Sequence, residues 1–338
     1  MLKENLSKKN NWLLVLGKKA YWFTFFVFIL GLFLGGLLVK LWLGRNDQSL
    51  FSWVRQKGSY QFINPLLDFE PLEETKRSDL VGLRRDLEDL IEEARGGGDV
   101  LEVSVYFKEL ISGAWLGVNE KEKFAPASLL KVPLMITFLK IAEDDQDYLN
   151  QTIEYQRFDE GLSQNILPEK ELNEGESYSV GTLIRRMIVY SDNQAMYLLS
   201  DHVDESKVEK VFFDLGLKPP DDSNEEDFIT TRDYAAIFRI LYNASYLSRE
   251  MSEKALRLLS EVSYDNGLAA GLPEGVKIAN KFGERVHSDG LEQFHDCGII
   301  YYPDKPYLLC VMTRGTDFGA LQQTVQEISR NVYRVASF

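Results

Sequence analysis

Apolar residues recur three and four apart in "SDLVGLRRDLEDLIEEAR", where Leu80, Leu83, Leu87, Leu90 and Ile91 form one stripe. That period predicts an amphipathic helix, with Ser78 as its cap and the "GGGD" that follows as its stop. The period then changes to two. "LEVSVYF" alternates, and "GAWLGVN" follows after a turn containing Ser112 and Gly113, so two strands are expected. "FAPASLLKVPLM", residues 124–135, opens a helix that stays apolar, Lys131 excepted, until Lys140. From about 140 to 254 the signals are mostly helical with polar loops, as in "SVGTLIRRMIVY" and "DYAAIFRILY". Strands return in "GVKIANKFG", "FHDCGIIYY" and "YLLCVMT", and "GALQQTVQEISRNVYRV" closes the chain as a helix. Strands, a helical insertion and strands that can complete the first sheet predict an α+β architecture with an inserted all-helical subdomain.

The two cysteines lie in a predicted hairpin whose strands are joined by "PDKP". A turn centred on Asp304 and Lys305 places Cys297 opposite Met312, which leaves Cys297 and Cys310 as diagonal neighbours. Two buried thiols are therefore expected, without a disulfide. No Cys/His spacing fits a metal site, and no cofactor is implied.

The N-terminus departs from this globular pattern. "AYWFTFFVFILGLFLGGLLV", residues 20–39, is uncharged, and 20 residues at ~1.5 Å each match a hydrocarbon core of ~30 Å. Lys3, Lys8, Lys9, Lys18 and Lys19 precede it, and "KLWLGRND" after it offers no small-x-small cleavage site. The expected organisation is a cytoplasmic segment 1–19, a single-pass transmembrane anchor 20–43, a juxtamembrane tether 44–77 and an extracytoplasmic domain 78–338 at the cell membrane. The net charge is −14, and the first 45 residues hold seven Lys/Arg against one Glu, so the remainder is more acidic still. A domain of that charge with scattered basic residues excludes nucleic acid as a partner.

Three short stretches carry candidate chemistry. Ser128 and Lys131 share a helix face at i and i+3, at a helix start where an oxyanion is stabilised. A buried lysine loses its proton more readily and can serve as a base; the plain alternative is a capping serine and a lysine that snorkels to water. In "YSDNQAMYLL", Ser191, Asp192 and Asn193 either cap the next helix or supply a hydroxyl relay and an amide for a substrate carbonyl. In "ANKFGERV", Lys281 and Gly283 are either an edge lysine and a bulge glycine, or a cation for a substrate anion and a close backbone approach.

Taken together and in this order, "SLLK", "SDN" and "KFG" resemble the signature set of class A β-lactamases and their relatives among the penicillin-recognising serine hydrolases. The resemblance covers roughly 79–338. It implies a β-lactamase/transpeptidase-like antiparallel sheet flanked by helices. It also implies that Ser128 is the acylated nucleophile and Lys131 its proton partner. Ser191 would carry the proton to the leaving nitrogen, Asn193 would hold the substrate amide and Lys281 would supply positive potential. The N–H groups of Ser128 and Glu284 would form the oxyanion hole. His287 and His295 are read as structural.

Two departures bear on activity. "LGLKPPDDSNEEDFITTRDYA" stands where class A enzymes carry a deacylating glutamate in an E-x-x-L-N setting; it offers only Glu225 and Glu226. Phe282 stands where the family has a hydroxyl residue that helps hold the substrate carboxylate, so either Arg285 takes the anion or the substrate differs. The expected function is a membrane-anchored serine hydrolase that opens a β-lactam or peptide-like amide through acyl-Ser128. Its expected partners are a small-molecule or peptidoglycan-type substrate and the membrane. The alternatives are a D-Ala-D-Ala carboxypeptidase or penicillin-binding protein, and a non-catalytic binder of cell-wall fragments.

Overall fold

The structure is a computed structural model, and it describes residues 60–64, 77–158, 165–168, 171–217 and 226–336. The chain divides into Met1–Gln56 and Lys57–Phe338, and every described residue belongs to the second unit. Among the described residues no helix is long and apolar enough to cross a membrane. The expected anchor, residues 20–43, lies outside them, as does the cytoplasmic segment before it.

Helix α1 (Ser78–Gly96) buries Leu80, Leu83, Leu87 and Ile91. Ser78 is its first residue and not its cap. Arg77 takes that place without a side-chain bond to the helix, and Asp79 puts a negative charge in the first turn, where the helix dipole favours it. Strands β1 (Val100–Glu109) and β2 (Trp115–Val118) form an antiparallel pair. The short β3 (Lys123–Phe124) leads into a single 3₁₀ turn, Ala127–Leu130, and then into α2 (Lys131–Asp144). Ten residues of α2 are buried, from Lys131 to Ala142, so the helix is surrounded by protein and its apolar residues need no stripe.

The small pair β4 (Thr152–Glu154) and β5 (Ser177–Ser179) precedes the helices α3 (Val180–Val189), α4 (Asn193–His202) and α5 (Glu205–Asp214). After β6 (Ile229–Thr230) come α6 (Thr231–Tyr242) and α7 (Arg249–Leu259). These helices are punctuated by side-chain caps. Ser179, Asp192, Asp204, Thr230 and Ser248 each accept a backbone N–H from the first turn that follows.

Three long strands, β7 (Ile278–Val286), β8 (Glu292–Ile300) and β9 (Tyr307–Gly315), return to the sheet before α8 (Phe318–Ala336). The strand order is β2-β1-β9-β8-β7, with every pairing antiparallel. Strand β9 therefore docks on β1 and closes the sheet across the intervening helices, as the α+β reading requires. One apolar core lies between the sheet and α1 and α8, with Val103, Val105 and Phe107 facing Leu83, Leu87, Leu321 and Val325. The other joins the opposite face to the helices through Tyr106, Met135, Phe138, Ile184 and Phe238. Strand β9 serves both cores, which is why "YLLCVMT" is apolar at successive positions.

The hairpin corrects one expectation. Ile300 pairs with Tyr307 and Cys297 with Cys310, so the turn is centred between Pro303 and Asp304, one residue earlier than the sequence suggested. Asp304 adopts φ 59°, a left-handed conformation that aspartate tolerates and that tightens the turn. Shifting the centre by one residue moves each cysteine's partner by two. The Cα atoms of Cys297 and Cys310 are thus 3.9 Å apart and the residues form a disulfide, not two free thiols.

Part of the expected tether, Gln61 to Asn64, rests on the domain. Glu253 on α7 is buried, and its carboxylate accepts the N–H groups of Gln61 at 3.0 Å, Phe62 at 2.8 Å and Ile63 at 3.2 Å. Phe62 packs edge-on against Tyr301, whose hydroxyl donates to Phe62 O. Hydrogen bonds to a charged group contribute about 1.5–3 kcal/mol each before desolvation is counted. Replacing Glu253 by alanine is expected to lower unfolding free energy by about 2–3 kcal/mol. Urea denaturation checks this, and an unchanged midpoint would show that segment 60–64 is held by its apolar side chains alone.

Candidate active site

Three segments from different parts of the chain meet between the two subdomains. The first is the 3₁₀ turn before α2. Its entry is over-determined: Ala125 donates its N–H to Gln293 Oε1 at 3.0 Å, and Ala125 O lies 3.0 Å from His295 Nε2. Tyr234, buried on α6, donates its hydroxyl to Leu129 O. These supports hold Ala127 at φ 48°, a conformation that costs a non-glycine residue about 1–2 kcal/mol. Ser128 follows immediately, half-buried at the mouth of the helix.

The second segment is the loop between α3 and α4. Asp192 is buried and accepts from Gln194 N and Ala195 N, which makes it the cap of α4. Its other oxygen faces Arg186 Nε and Nη2, both at 2.9 Å. That double role leaves Ser191, at φ 53°, and Asn193 pointing back toward α2. The third segment is the edge strand β7, where alternate side chains face the helices: Lys281 and Gly283 turn inward, and Phe282 turns toward the core under α8.

Lys131 Nζ is the centre of the cluster. It lies 2.6 Å from Ser191 O, 2.6 Å from Asn193 Oδ1, 3.0 Å from Ser128 Oγ and 3.1 Å from Ser191 Oγ. Ser191 Oγ in turn accepts from Lys281 Nζ at 3.0 Å, so one hydroxyl stands between two amines. Burial pushes the Lys131 amine down to about 7, against the opposing pull of Asp192 and Glu284. Burial, reinforced by Lys131, holds Lys281 well below the usual lysine value, against the pull of Asp296 and Glu284. A neutral Lys131 has two N–H groups and one lone pair. The two carbonyl oxygens at 2.6 Å take the N–H groups, and the lone pair is left for a serine proton.

The remaining sequence candidates fall around this cluster. A Cβ on Gly283 would stand 3.1 Å from Pro126 O and 3.3 Å from Leu129 N, so only glycine lets β7 close on the Ser128 turn without a shift. The backbone of Glu284 comes next. Its carboxylate accepts Asn165 N at 3.1 Å and Ile166 N at 2.8 Å, and burial raises its pKa. Phe282 is buried, with its ring 4.5 Å from that of Tyr264 and Lys281 Nζ 3.9 Å above it. Arg285 Nη2 faces Glu226 Oε2 at 3.3 Å, and the same oxygen lies 2.9 Å from His287 Nδ1. Glu225 lies outside the described residues.

Sequence reasoning did not find Tyr234, Gln293 or Arg186. Gln293 and His295 stand two apart on β8, and that period-two spacing was the signal that both share the face turned toward Ser128. His295 is fully buried, and burial pushes it down to about 4, so it is neutral. Its Nδ1 accepts Thr313 N, which leaves Nε2 to carry the proton donated to Ala125 O.

A five-stranded antiparallel sheet with helices on both faces, carrying such a serine–lysine pair where its helical part meets an edge strand, defines a β-lactamase-like serine hydrolase fold. The chain belongs to the β-lactamase enzyme family, whose model matches residues 82–336. Among solved structures it is similar to a β-lactamase from Sphaerobacter thermophilus, at 23% identity and TM-score 0.63, over 74% of this chain and 97% of that one. A β-lactamase from Xanthomonas campestris pv. campestris is 23% identical with TM-score 0.64, over 75% and 98%. A mutant of PBP-A, solved as an acyl-enzyme complex with penicillin G, is 22% identical with TM-score 0.63, over 75% and 96%. No curated protein matches the chain.

The depressed Lys131 value fixes the sign of a pH effect. With the neutral amine in the role of base that the sequence resemblance implies, the rate of Ser128 acylation is expected to rise with pH through about 7 and level off above it. Lys131→Met, which keeps the volume and removes the charge, is expected to lose ~10²–10⁴-fold in that rate. At pH 6, where the native lysine is charged and dry, the same variant should be more stable than wild type by ~1–3 kcal/mol. Labelling kinetics and urea denaturation read these two effects; a flat pH profile would remove Lys131 from the proton path.

Proposed function

We propose that the protein is a serine hydrolase that opens a β-lactam or peptide-like amide through an acyl-Ser128 intermediate. The observation that carries this reading is the dry Lys131 amine, held by two carbonyl oxygens at 2.6 Å with Ser128 Oγ at 3.0 Å. Lys131 takes the Ser128 proton as Oγ bonds to the substrate carbonyl carbon. The negative charge that develops on the carbonyl oxygen is met by the N–H groups of Ser128 and Glu284 at the contact between β7 and the helix start, a kind of donor worth a factor of ~10²–10³ each. The proton passes through Ser191, which lies within 3.1 Å of Lys131 and 3.0 Å of Lys281, to the departing nitrogen as the C–N bond breaks. Asn193 orients Lys131 through Oδ1 and offers its amide N–H groups to the substrate.

Release of the acyl group needs an activated water. Glu226, a candidate base close to the third motif, has its carboxylate engaged by Arg285 and His287. That observation favours slow release of the acyl group over fast turnover. Placement outside the cytoplasm, on an N-terminal membrane anchor, is supported by the uncharged run 20–39 behind five lysines. The Cys297–Cys310 disulfide also fits an oxidising compartment.

A neutral alkyl fluorophosphonate tests the nucleophile, because it reacts with activated serines whatever their substrate. Intact-mass and peptide-mass measurements should place one adduct on Ser128 in wild type and none in Ser128→Ala. Label in the alanine variant, or none in wild type, would end the acyl-serine reading.

A further inference from the structure

The third motif carries an anomaly beyond the missing hydroxyl. Lys281 is fully buried: its Nζ donates to Ser191 Oγ at 3.0 Å and to Phe282 O at 2.9 Å, and the Phe282 ring covers it at 3.9 Å. The ring is itself backed by Tyr264, which packs against Phe294, which in turn meets Phe318. An aromatic stack therefore backs the amine from the α8 side of β7 and helps to hold it against Ser191 Oγ and Phe282 O. Burial also holds that amine well below its ordinary value.

The other described cations at this end of the cleft are also engaged. Lys131 is buried and turned toward Ser191 and Asn193. Arg285, about a third exposed, has its Nη2 engaged by Glu226 Oε2 at 3.3 Å. Arg186 is committed to Asp192. Against these stand the Glu284 carboxylate beside Gly283 and the chain's net charge of −14. A carboxylate entering beside the scissile bond would lose its water and, among the described residues, meet no uncommitted positive charge, so its desolvation would go uncompensated.

We propose that this site selects acyl donors with no carboxylate next to the scissile bond, such as neutral amides, esters or amidated peptides, and that Phe282 backed by Tyr264 imposes the selection. The proposal rests on the acyl-Ser128 reading above and names the substrate class of that same site. It also gives Phe282 a definite role: the ring exchanges a substrate anchor for a cover over Lys281.

Matched probe pairs test it. Benzylpenicillin is compared with its methyl ester, and a phenylacetylglycyl thioester of mercaptoacetate with that of methyl mercaptoacetate. Each second-order rate of Ser128 modification, read by intact mass, is divided by the probe's own rate with hydroxide. Wild type is expected to favour the ester over the acid about tenfold or more in whichever pair reacts. Phe282→Thr, which uncovers Lys281, and Glu226→Gln, which frees Arg285 at the surface, should each move the ratio toward the acid. A wild-type ratio of one or less overturns the proposal while leaving acyl-Ser128 intact. Failure of both pairs while the fluorophosphonate labels Ser128 overturns this proposal alone, and failure of all three removes the acyl-serine reading with it.

Discussion

Everything in the site follows from an amine held in a dry place. Lys131 sits on the first turn of a helix that is buried from Lys131 to Leu139, and burial drives its pKa down to about 7. Such a group is a liability to the fold. Its charged form lacks water, and an apolar residue would fit the helix better. The chain offsets the penalty with oxygens from Ser128, Ser191 and Asn193, and with the carboxylate of Asp192 one residue away from two of them. The same oxygens decide which way the lone pair points, so the contacts that make the amine tolerable also give it direction.

The fold delivers those oxygens through long-range closure. Ser128 and Lys131 are neighbours in sequence, but Ser191 belongs to the helical insertion and Lys281 to the strands beyond it. They meet because β9 pairs with β1 along its whole length and carries β8 and β7 with it. Gln293 and His295 then reach across from β8 to grip Ala125, and Gly283 lets the neighbouring strand approach the same turn. The left-handed residues Ala127 and Ser191 lie within this clamp, where surrounding contacts can hold a conformation that isolated chain would leave.

How much of this was legible depends on range. Helix stripes, strand alternation and the serine–lysine spacing are local, and they pointed to the α+β architecture and to the segments that converge. The hairpin register was missed by one residue because it turns on the left-handed conformation of Asp304, which no hydrophobic pattern encodes, and the disulfide was lost with it. Glu253 gave no sign of gripping residues 61–63, because the partners lie about 190 positions apart. Phe282 was visible as a departure from a motif. Its burial against Tyr264 was not, since the two belong to different elements and share no periodicity.

Strand β7 ends the sheet, and an open strand edge invites a second chain to zip onto it. Here the invitation is narrowed at several points. Phe282 O is taken by Lys281, the Asn165 and Ile166 N–H groups lie against the Glu284 carboxylate, and Gly283 presses on the Ser128 turn. A second chain pairing along β7 would have to accommodate or displace those partners. The edge is thus partly occupied by the chain's own groups, which shortens the stretch left open to pairing.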